Sequence, residues 1–368
     1  MSDSLILIGP LAEDRLRAAL GVQGQPCGVA GRLHGGACAG VADGAWPVWQ
    51  PGAGHLPGVR ARPCAALDLY AAVMQLEPLD LPEGRVLGAR RAAADRPLPD
   101  APWDATTWQG DAAAAQAGLI VQDGALHPAA TLRARLPMLA VWAESRRRAA
   151  AMTAQGGALV PDRGPDAVRI ERRRQPFAGF FAVEEWVLRH RTHAGGISTP
   201  VRREGFVMGD AVVVLPWDPV RDRVLLIEQF RAGPAMRHDP RPWLLEAIAG
   251  RIDAGETVEE AARREAREEA DLKLMRLFPA IHHYPSPGAV TEFLYLFIGI
   301  ADLGDGAAGV HGLQSEAEDI RGHLLARADL MAMLRAGQIS NGPLAMLALF
   351  LQAEAANLSR RAGEPGGG

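Results

Sequence analysis

The chain contains very little lysine and cysteine, and both shortages exclude classes of protein. Lys273 is the only lysine, so the glycine-lysine-serine/threonine step of a phosphate-binding P-loop is absent. The cysteines are Cys27, Cys38 and Cys64, an odd number confined to the amino-terminal part of the chain. An odd set of this kind argues against a disulfide framework and favours a reducing compartment.

Long apolar runs are also missing. No run approaches the roughly 18 residues that a membrane-spanning helix needs, and no positively charged region precedes Leu5–Ile8, as it would in a secretory leader. The formal net charge of −4 gives no sign of a nucleic-acid or membrane-surface partner. We therefore expect a cytoplasmic protein that binds neither nucleic acid nor membrane.

Length and pattern predict two domains. With 368 residues, of which 48% are hydrophobic, the chain can form two cores. We predict a first domain over residues 1–150, a linker over 151–165, a second domain over 166–358 and a disordered tail over 359–368.

Local patterns predict the main elements of each domain. In the first domain they indicate a strand at Leu5–Ile8, a helix at Ala65–Met74 and one amphipathic helix over Thr131–Met152. In the second domain the pattern predicts a hairpin, a later strand and two closing helices, which are Ala211–Leu215 with Val224–Glu228, Phe293–Ile298, Ala326–Ala336 and Pro343–Leu358. This order predicts an α-β-α arrangement, a mixed sheet between helices.

The stretch Gly250–Leu272 carries the strongest chemical signal. Glu265, Glu268 and Glu269 lie on one face of a predicted helix, behind a glycine-containing loop. Like charges on one face repel unless a cation lies among them. Mg²⁺ takes carboxylate and phosphate oxygens as ligands, so the segment indicates a Mg²⁺ site for a phosphate-containing substrate. The competing interpretation is a solvated surface helix, which requires neither Gly250 nor this spacing.

Other residues of the segment agree with a helix. Thr257 and Glu260 form a capping-box sequence at its start. Arg264 lies four residues from both Glu260 and Glu268 and can offset the repulsion between carboxylates. Asp271 stands where a left-handed glycine usually ends a helix, which we expect to lower stability without removing the metal site.

These spacings resemble the Nudix box, G-x5-E-x7-R-E-U-x-E-E-x-G-U, where U is apolar. Gly250, Glu256 and the run Arg264–Glu269 match its fixed positions, and only the last glycine is replaced, by Asp271. The resemblance implies an α+β fold, in which the mixed sheet of the Nudix fold lies between helices.

Flanking segments resemble the bacterial ADP-ribose pyrophosphatases, including members associated with tellurite resistance. The resemblance runs from Gln175 to Leu358, with landmarks at Gly179–Arg191, Val201–Phe206, Val224–Pro234, Pro242–Glu256, Tyr284–Glu292 and Gly312–Ile320. It implies hydrolysis of ADP-ribose to AMP and ribose 5-phosphate with Mg²⁺, or with Mn²⁺ in its place. Two alternatives stay open: a diphosphatase for another nucleoside diphosphate sugar, such as ADP-glucose or GDP-mannose, and a non-catalytic nucleotide sensor. A sensor has no need of the full carboxylate set.

The same resemblance implies roles for individual residues. Glu316 would be the catalytic base and Glu268 a second catalytic carboxylate. The implied metal ligands are Glu265, Glu269, Glu318 and the backbone carbonyl of Ala249, and the implied substrate-binding residues are Phe180, Arg203, Arg231, Ser286 and Glu292. The family also implies a homodimer with exchanged amino-terminal strands, in which Arg203 reaches the partner's site.

Other catalytic chemistries have weaker support. The pair His282-His283 could suggest zinc, but this half of the chain has neither cysteine nor HExxH spacing. A serine nucleophile in G-x-S-x-G context is also absent.

The first domain resembles gamma-glutamylcyclotransferase-like domains, which implies a small α+β barrel-like fold. The segments that carry the resemblance are Leu5–Leu11, Trp46–Gly54 and Cys64–Tyr70. Ile8, Pro10 and Ala71 replace the family's loop tyrosine, hydroxyl residue and acidic residue. Without that carboxylate no general acid or base remains, so we expect a catalytically silent domain.

Overall fold

The computed structural model describes residues 4–36, 46–91, 101–105, 108, 110–152, 164–312 and 319–363. Its contacts divide the chain into two compact units, Met1–Val207 and Met208–Gly368. The first unit thus includes residues 166–207, which the sequence-based ranges assign to the second domain. Most of the predicted linker lies outside the described residues, and the predicted domain ranges stay predictions.

The first unit begins with a mixed sheet and helices. Its elements are β1 Leu5–Ile8, α1 Asp14–Ala19, β2 Gly24–His34, β3 Val48–Ala61, α2 Ala65–Met74, β4 Leu79–Leu81, β5 Gly84–Leu87, β6 Arg90–Arg91, α3 Gly110–Gly124, α4 Ala129–Ala134, α5 Leu136–Ala151, β7 Val168–Ala178, β8 Ala182–His190 and β9 Val201–Val207. The predicted strand Leu5–Ile8 and helix Ala65–Met74 are confirmed.

Strand β1 lies inside the first sheet and separates two cores. The strand order is β2-β3-β1-β5-β4, with β1 antiparallel to β3 and parallel to β5. Alternation along β1 sends Leu5 and Leu7 into the core shared with the helices, and Ile6 and Ile8 into the core on the opposite face. The expected barrel-like closure stays a prediction.

The single helix predicted over Thr131–Met152 is wrong. The chain forms α4 and α5 instead, separated at Arg135, whose ψ of 9° leaves the helical region. Pro137 explains the break because it has no N–H to donate to the carbonyl of Arg133 and its ring would clash with that carbonyl, so it is tolerated only in the first turn of a helix.

Strands β7, β8 and β9 form a separate antiparallel sheet that packs on the helices of the first unit. Ala182 of β8 and Val207 of β9 belong to the same buried cluster as Leu119, Met138 and Trp142 of helices α3 and α5. This shared core is the reason that residues 166–207 group with the first unit.

The second unit contains the predicted hairpin, helix and closing helices. Its elements are β10 Ala211–Asp218, β11 Arg223–Phe230, α6 Ala232–Met236, β12 Trp243–Glu246, β13 Ile248–Arg251, α7 Val258–Ala270, β14 Arg276–Pro279, β15 Leu294–Ile300, β16 Val310–His311, β17 Ile320–Ala326, α8 Arg327–Arg335 and α9 Gly342–Gly363. Helix α9 continues into residues 359–363, so this part of the predicted tail is wrong. The apolar pattern after Leu358 is too weak to show that the helix goes on.

The predicted mixed sheet between helices is confirmed. Its order is β14-β15-β10-β11-β17-β16, with β10 parallel to β15 and antiparallel to β11. Val213 and Leu215 pack with helices α8 and α9 on one face, whereas Val212 and Val214 pack with α7 on the other. Among the described helices, none is long and apolar enough to cross a membrane.

Helix α7 ends at Asp271, which has φ 50° and ψ 35°. Left-handed backbone of this kind costs an L-residue about 1 kcal/mol, less for Asp than for most residues. Glycine adopts it without the Cβ penalty but loses more entropy on folding.

We expect Asp271→Gly to raise the free energy of unfolding by about 0.5 kcal/mol and Tm by about 1–2 °C, measured by thermal denaturation. Asp68→Gly, at an exposed position inside α2, is the control and should lower Tm. A Tm for Asp271→Gly at or below that of the unchanged protein would contradict the assignment of strain at this residue.

Candidate active site

Helix α7 begins with the complete capping box that the sequence predicts. The amide of Glu260 donates to Thr257 Oγ1 at 3.2 Å, and the amide of Thr257 donates to Glu260 Oε2 at 2.8 Å. These bonds satisfy two amides at the start of the helix and fix its first turn. The cap therefore sets which residues of α7 face the sheet.

Two carboxylates of α7 are buried against strand β13. Glu265 is 9% exposed and Glu269 only 2%. The amide of Ala249 donates to Glu269 Oε2 at 3.0 Å, which ties this carboxylate to the strand. Buried carboxylates are rare in proteins without compensating groups, so this pair marks a candidate functional site.

Gly250 is required for Glu265 to reach its position. A Cβ built on Gly250 would lie 1.9 Å from Glu265 Oε1 and 2.0 Å from Cδ. No real Cβ contact is that short, so any side chain at residue 250 would displace the carboxylate. The motif thus has a glycine at residue 250 because the Glu265 carboxylate occupies the space of a side chain there.

The side chains around β13 suit a hard divalent cation. Glu265, Glu269 and the Ala249 backbone offer oxygen donors at one place, where helix and strand approach each other. Within the ranges that the structure describes, no three His, Cys, Asp or Glu side chains form a group able to hold a metal. Glu316 and Glu318 lie outside those ranges, and their predicted roles stay predictions.

Arg264 connects the carboxylates to the preceding loop. Its Nε and Nη2 donate to Glu256 at 2.8 and 2.9 Å, and its Nη1 donates to Glu265 Oε1 at 2.7 Å and to Glu268 Oε2 at 3.0 Å. Its Nη2 also donates to the carbonyl of Arg251 at 2.9 Å. The predicted contact with Glu268 is confirmed, whereas Glu260 is engaged in the cap.

The charge state of Arg264 follows from these bonds. Burial alone would lower the pKa of Arg264, but its hydrogen bonds to Glu256 and the charge of Glu265 raise the pKa above its ordinary value. The guanidinium therefore stays charged, and its bonds to Glu256, Glu265 and Glu268 are charge-assisted hydrogen bonds.

Arg231, a predicted substrate-binding residue, is held by a buried glutamate. Its Nε and Nη2 donate to Glu246 Oε2 at 3.0 and 2.7 Å, and Asn341 Nδ2 donates to Glu246 Oε1 at 3.1 Å. Asn341 Oδ1 also accepts from the amide of Leu344 in α9. Glu246 and Asn341 are 95 residues apart, so no local pattern could have revealed their contact.

Glu292 and Ser286 belong to the same unit as Arg231. Burial, followed by the charge of Asp210, raises the pKa of Glu292, while the charges of Arg231 and Arg251 act to lower it. Ser286 is exposed in a tight turn, where its carbonyl accepts from the amides of Ala289 at 3.1 Å and Val290 at 3.0 Å. Glu292 is thus the residue of this pair that lies in a charged, partly desolvated environment.

Phe180 and Arg203 belong to the first unit. Phe180 lies in the turn between β7 and β8, is 56% exposed and makes an edge contact with Phe181. Arg203 lies on β9, directly opposite Trp186 of β8, and its Nη1 donates to the carbonyl of Arg202. The side chains of Phe180 and Arg203 are both exposed and belong to no core.

His282 does not look like a zinc ligand. Its ring packs against Tyr295 and Phe297, with centroids 5.2 and 5.6 Å away, and its Nδ1 accepts from the amide of Leu296 at 3.1 Å. Burial lowers the pKa of His282, so it stays neutral as an acceptor. This assigns His282 a packing role.

Comparison with known proteins agrees with the geometry. The model of the NUDIX domain matches residues 208–344. The ADP-ribose pyrophosphatase of Escherichia coli (strain K12) is 42% identical over 189 residues, which cover 51% of this chain and 90% of that protein. The ADP-ribose pyrophosphatase of Haemophilus influenzae is 37% identical over 186 residues, covering 50% and 85%.

A second group of relatives is more distant. The GDP-mannose pyrophosphatase of Escherichia coli O9:H4 (strain HS) is 30% identical over 151 residues, which cover 41% of this chain and 78% of that protein. Nudix hydrolases in general use divalent metal ions, usually Mg²⁺. The match covers 90% of the Escherichia coli ADP-ribose pyrophosphatase at 42% identity, and the NUDIX domain model matches the segment that contains α7 and Gly250. The chain therefore belongs to the NUDIX family.

Proposed function

We propose that the chain is a Mg²⁺-dependent hydrolase that splits ADP-ribose into AMP and ribose 5-phosphate. The observation that carries this proposal is the buried pair Glu265 and Glu269, seated against Gly250 and Ala249 inside the NUDIX domain. The 42% identity to an ADP-ribose pyrophosphatase supports the substrate.

Charge determines what the site must do. A diphosphate is negative and repels attacking water, so Glu265, Glu269, the Ala249 carbonyl and Glu318 would hold Mg²⁺ against it. Bound Mg²⁺ neutralises phosphate charge and lowers the pKa of water. Arg264 holds Glu265 in place through a hydrogen bond, and Arg231 would pair with phosphate oxygens through its guanidinium.

The reaction requires one proton acceptor. The oxygen of water forms a bond to one phosphorus, the bond from that phosphorus to the bridging oxygen breaks, and the other phosphate leaves with that oxygen. Glu316 would accept the proton of the water, with Glu268 as a second catalytic carboxylate. This assignment leaves Glu265 and Glu269 for the metal.

The proposed substrate contacts are those that the family resemblance implies. Phe180 would stack on the adenine, and Arg203, Arg231, Ser286 and Glu292 would hold the remaining polar groups. The hydrogen bonds of Glu246 and Asn341 support a fixed orientation for Arg231. The relation to GDP-mannose pyrophosphatase favours one alternative, a diphosphatase for another nucleoside diphosphate sugar.

The protein would act as a cytoplasmic homodimer with exchanged strands, related to the members associated with tellurite resistance. In that assembly Arg203 would reach the partner's site. A monomeric mass in solution, measured by light scattering, would contradict the dimer.

We also propose that the start of the first unit is a silent gamma-glutamylcyclotransferase-like domain. Its support is the central strand β1 running into a tight turn at Gly9, where φ is 55°. Release of 5-oxoproline from gamma-glutamyl peptides would contradict the silence of this domain.

A substrate panel with a Mg²⁺ titration tests the main proposal. We expect ADP-ribose to give the highest kcat/KM among ADP-ribose, ADP-glucose and GDP-mannose, with no turnover after chelation and recovery with Mg²⁺ or Mn²⁺. Fast turnover of another sugar nucleotide without turnover of ADP-ribose would refute the substrate.

Glu269→Gln should lower kcat by about two orders of magnitude or more, because the amide cannot supply the charged ligand. Glu259→Gln, on the exposed side of the same helix, is the matched control and should retain activity. Steady-state rates on ADP-ribose measure both variants, and circular dichroism checks the fold. A near-normal kcat for Glu269→Gln would overturn its assigned role, and the same test applies to Glu316→Gln.

Gly250→Ala should lower activity by about 10²-fold, because the new Cβ would displace the Glu265 carboxylate. Gly304→Ala is the control, since a Cβ there meets no atom within 4 Å. Both variants are assayed for ADP-ribose hydrolysis at saturating Mg²⁺. Equal activity of the two variants would show that the close approach at Gly250 does not matter.

A further inference from the structure

A group of charged side chains is buried in the first unit, where the sheet of β7–β9 packs on helices α3–α5. Asp123 of α3 is fully buried and Glu184 of β8 is 4% exposed. Arg173 of β7 lies between them. We refer to Asp123, Arg173 and Glu184 as the charge clamp.

Arg173 bonds both carboxylates at once. Its Nη1 donates to Asp123 Oδ1 at 2.7 Å, its Nε donates to Glu184 Oε2 at 3.0 Å, and its Nη2 contacts Glu184 Oε1. Burial would raise the pKa of Glu184, but the hydrogen bonds and charge of Arg173 lower it below the ordinary value. Arg173 therefore bridges helix α3 and strand β8 through hydrogen bonds to a carboxylate on each.

A second set of polar contacts reinforces the bridge. Gln175 Nε2 donates to Glu184 Oε1 at 3.3 Å, and Gln175 Oε1 accepts from Arg135 Nη1 at 2.9 Å. His127 Nε2 lies 2.7 Å from the same Gln175 oxygen, and the Arg135 guanidinium lies 4.9 Å from the centroid of the Trp142 ring. Strands β7 and β8 are thus bonded to helix α3, to the α3–α4 loop and to the residue that precedes α5.

Buried charged contacts of this kind restrict the position of the β7–β9 sheet on helices α3–α5. Apolar contacts such as those of Ala182 and Val207 tolerate small shifts, whereas a shift of Arg173 would take its guanidinium away from the fully buried Asp123 carboxylate. Asp123 Oδ2 already has no hydrogen-bond partner among the described residues, so Arg173 cannot be lost without a large penalty.

The seated strands carry the two first-unit residues assigned to the substrate. Trp186 Nε1 donates to Glu184 Oε2 at 2.6 Å, and Trp186 lies directly opposite Arg203 in the β8–β9 ladder. Phe180 occupies the turn that joins β7, which holds Arg173, to β8, which holds Glu184. Glu184 of the clamp thus contacts Trp186, the residue paired with Arg203. Arg173 and Glu184 lie on the two strands that the Phe180 turn connects.

We propose that the charge clamp is a positioning device through which helices α3–α5 fix the strands that carry Phe180 and Arg203. The helices would then set the affinity for the nucleoside diphosphate substrate without taking part in bond cleavage. This inference rests on the proposed function for its substrate, but the coupling of helices to strands has a test of its own.

The experiment compares Asp123→Asn with Asp111→Asn in the full chain. Both substitutions are on α3, but Asp111 has a side chain 62% exposed and pairs with Arg15 at the surface. We expect Asp123→Asn to raise KM for ADP-ribose by about tenfold with kcat changed less than about twofold, and Asp111→Asn to leave both unchanged. Glu184→Gln should behave like Asp123→Asn.

Amide hydrogen exchange gives the readout that does not depend on activity. Residues 168–207 should exchange faster in Asp123→Asn than in Asp111→Asn, because the sheet loses its fixed seating. Should Asp123→Asn fail to fold, Arg146→Gln replaces it, since Arg146 is partly exposed and lies 3.5 Å from Glu184.

The outcomes separate the two proposals. Unchanged KM in folded clamp variants, or a fall in kcat at constant KM, would overturn the positioning role. A wild-type protein inactive on ADP-ribose refutes the proposed function alone. Hydrogen exchange then decides the inference: faster exchange of the strands supports the coupling, and unchanged exchange refutes it.

Discussion

The close approach of helix α7 to strand β13 is the constraint on which the candidate site depends. With no side chain at Gly250, Glu265 occupies space that a Cβ would fill, and the amide of Ala249 bonds Glu269 one turn further along the helix. Two carboxylates are thereby buried beside a strand backbone rather than spread into solvent. The remaining features of the site serve to keep this arrangement in place.

Much of this arrangement could be predicted because it is local in sequence. The capping box of Thr257 and Glu260, the pairing of Arg264 with Glu268 and the left-handed end at Asp271 all depend on residues a few positions apart. Two apolar runs separated by a Pro/Asp turn likewise predicted the hairpin of β10 and β11. Both runs are apolar because one face of each strand meets α7 and the other meets α8 and α9.

The predictions that failed or were missing depend on single residues or on distant contacts. Pro137 divides one amphipathic pattern into α4 and α5, since a proline cannot continue a helix beyond its first turn whatever the hydrophobic period. Glu246 is fixed by Asn341, and Asp123 by Arg173, across separations that no window of sequence spans. The grouping of residues 166–207 with the first unit also depends on distant contacts, because Ala182 and Val207 share a core with Leu119 and Trp142.

Charge balance links the site to its substrate. Glu256, Glu265, Glu268 and Glu269 are held by one helix and its preceding loop, and Arg264 alone cannot neutralise all of them. A bare diphosphate approaching these carboxylates would be repelled, whereas a diphosphate bound to a divalent cation would complete the balance. The arginine thus holds Glu256, Glu265 and Glu268 in one arrangement. Under the proposed function, this repulsion favours a metal-bound nucleotide over a free anion as the species that binds.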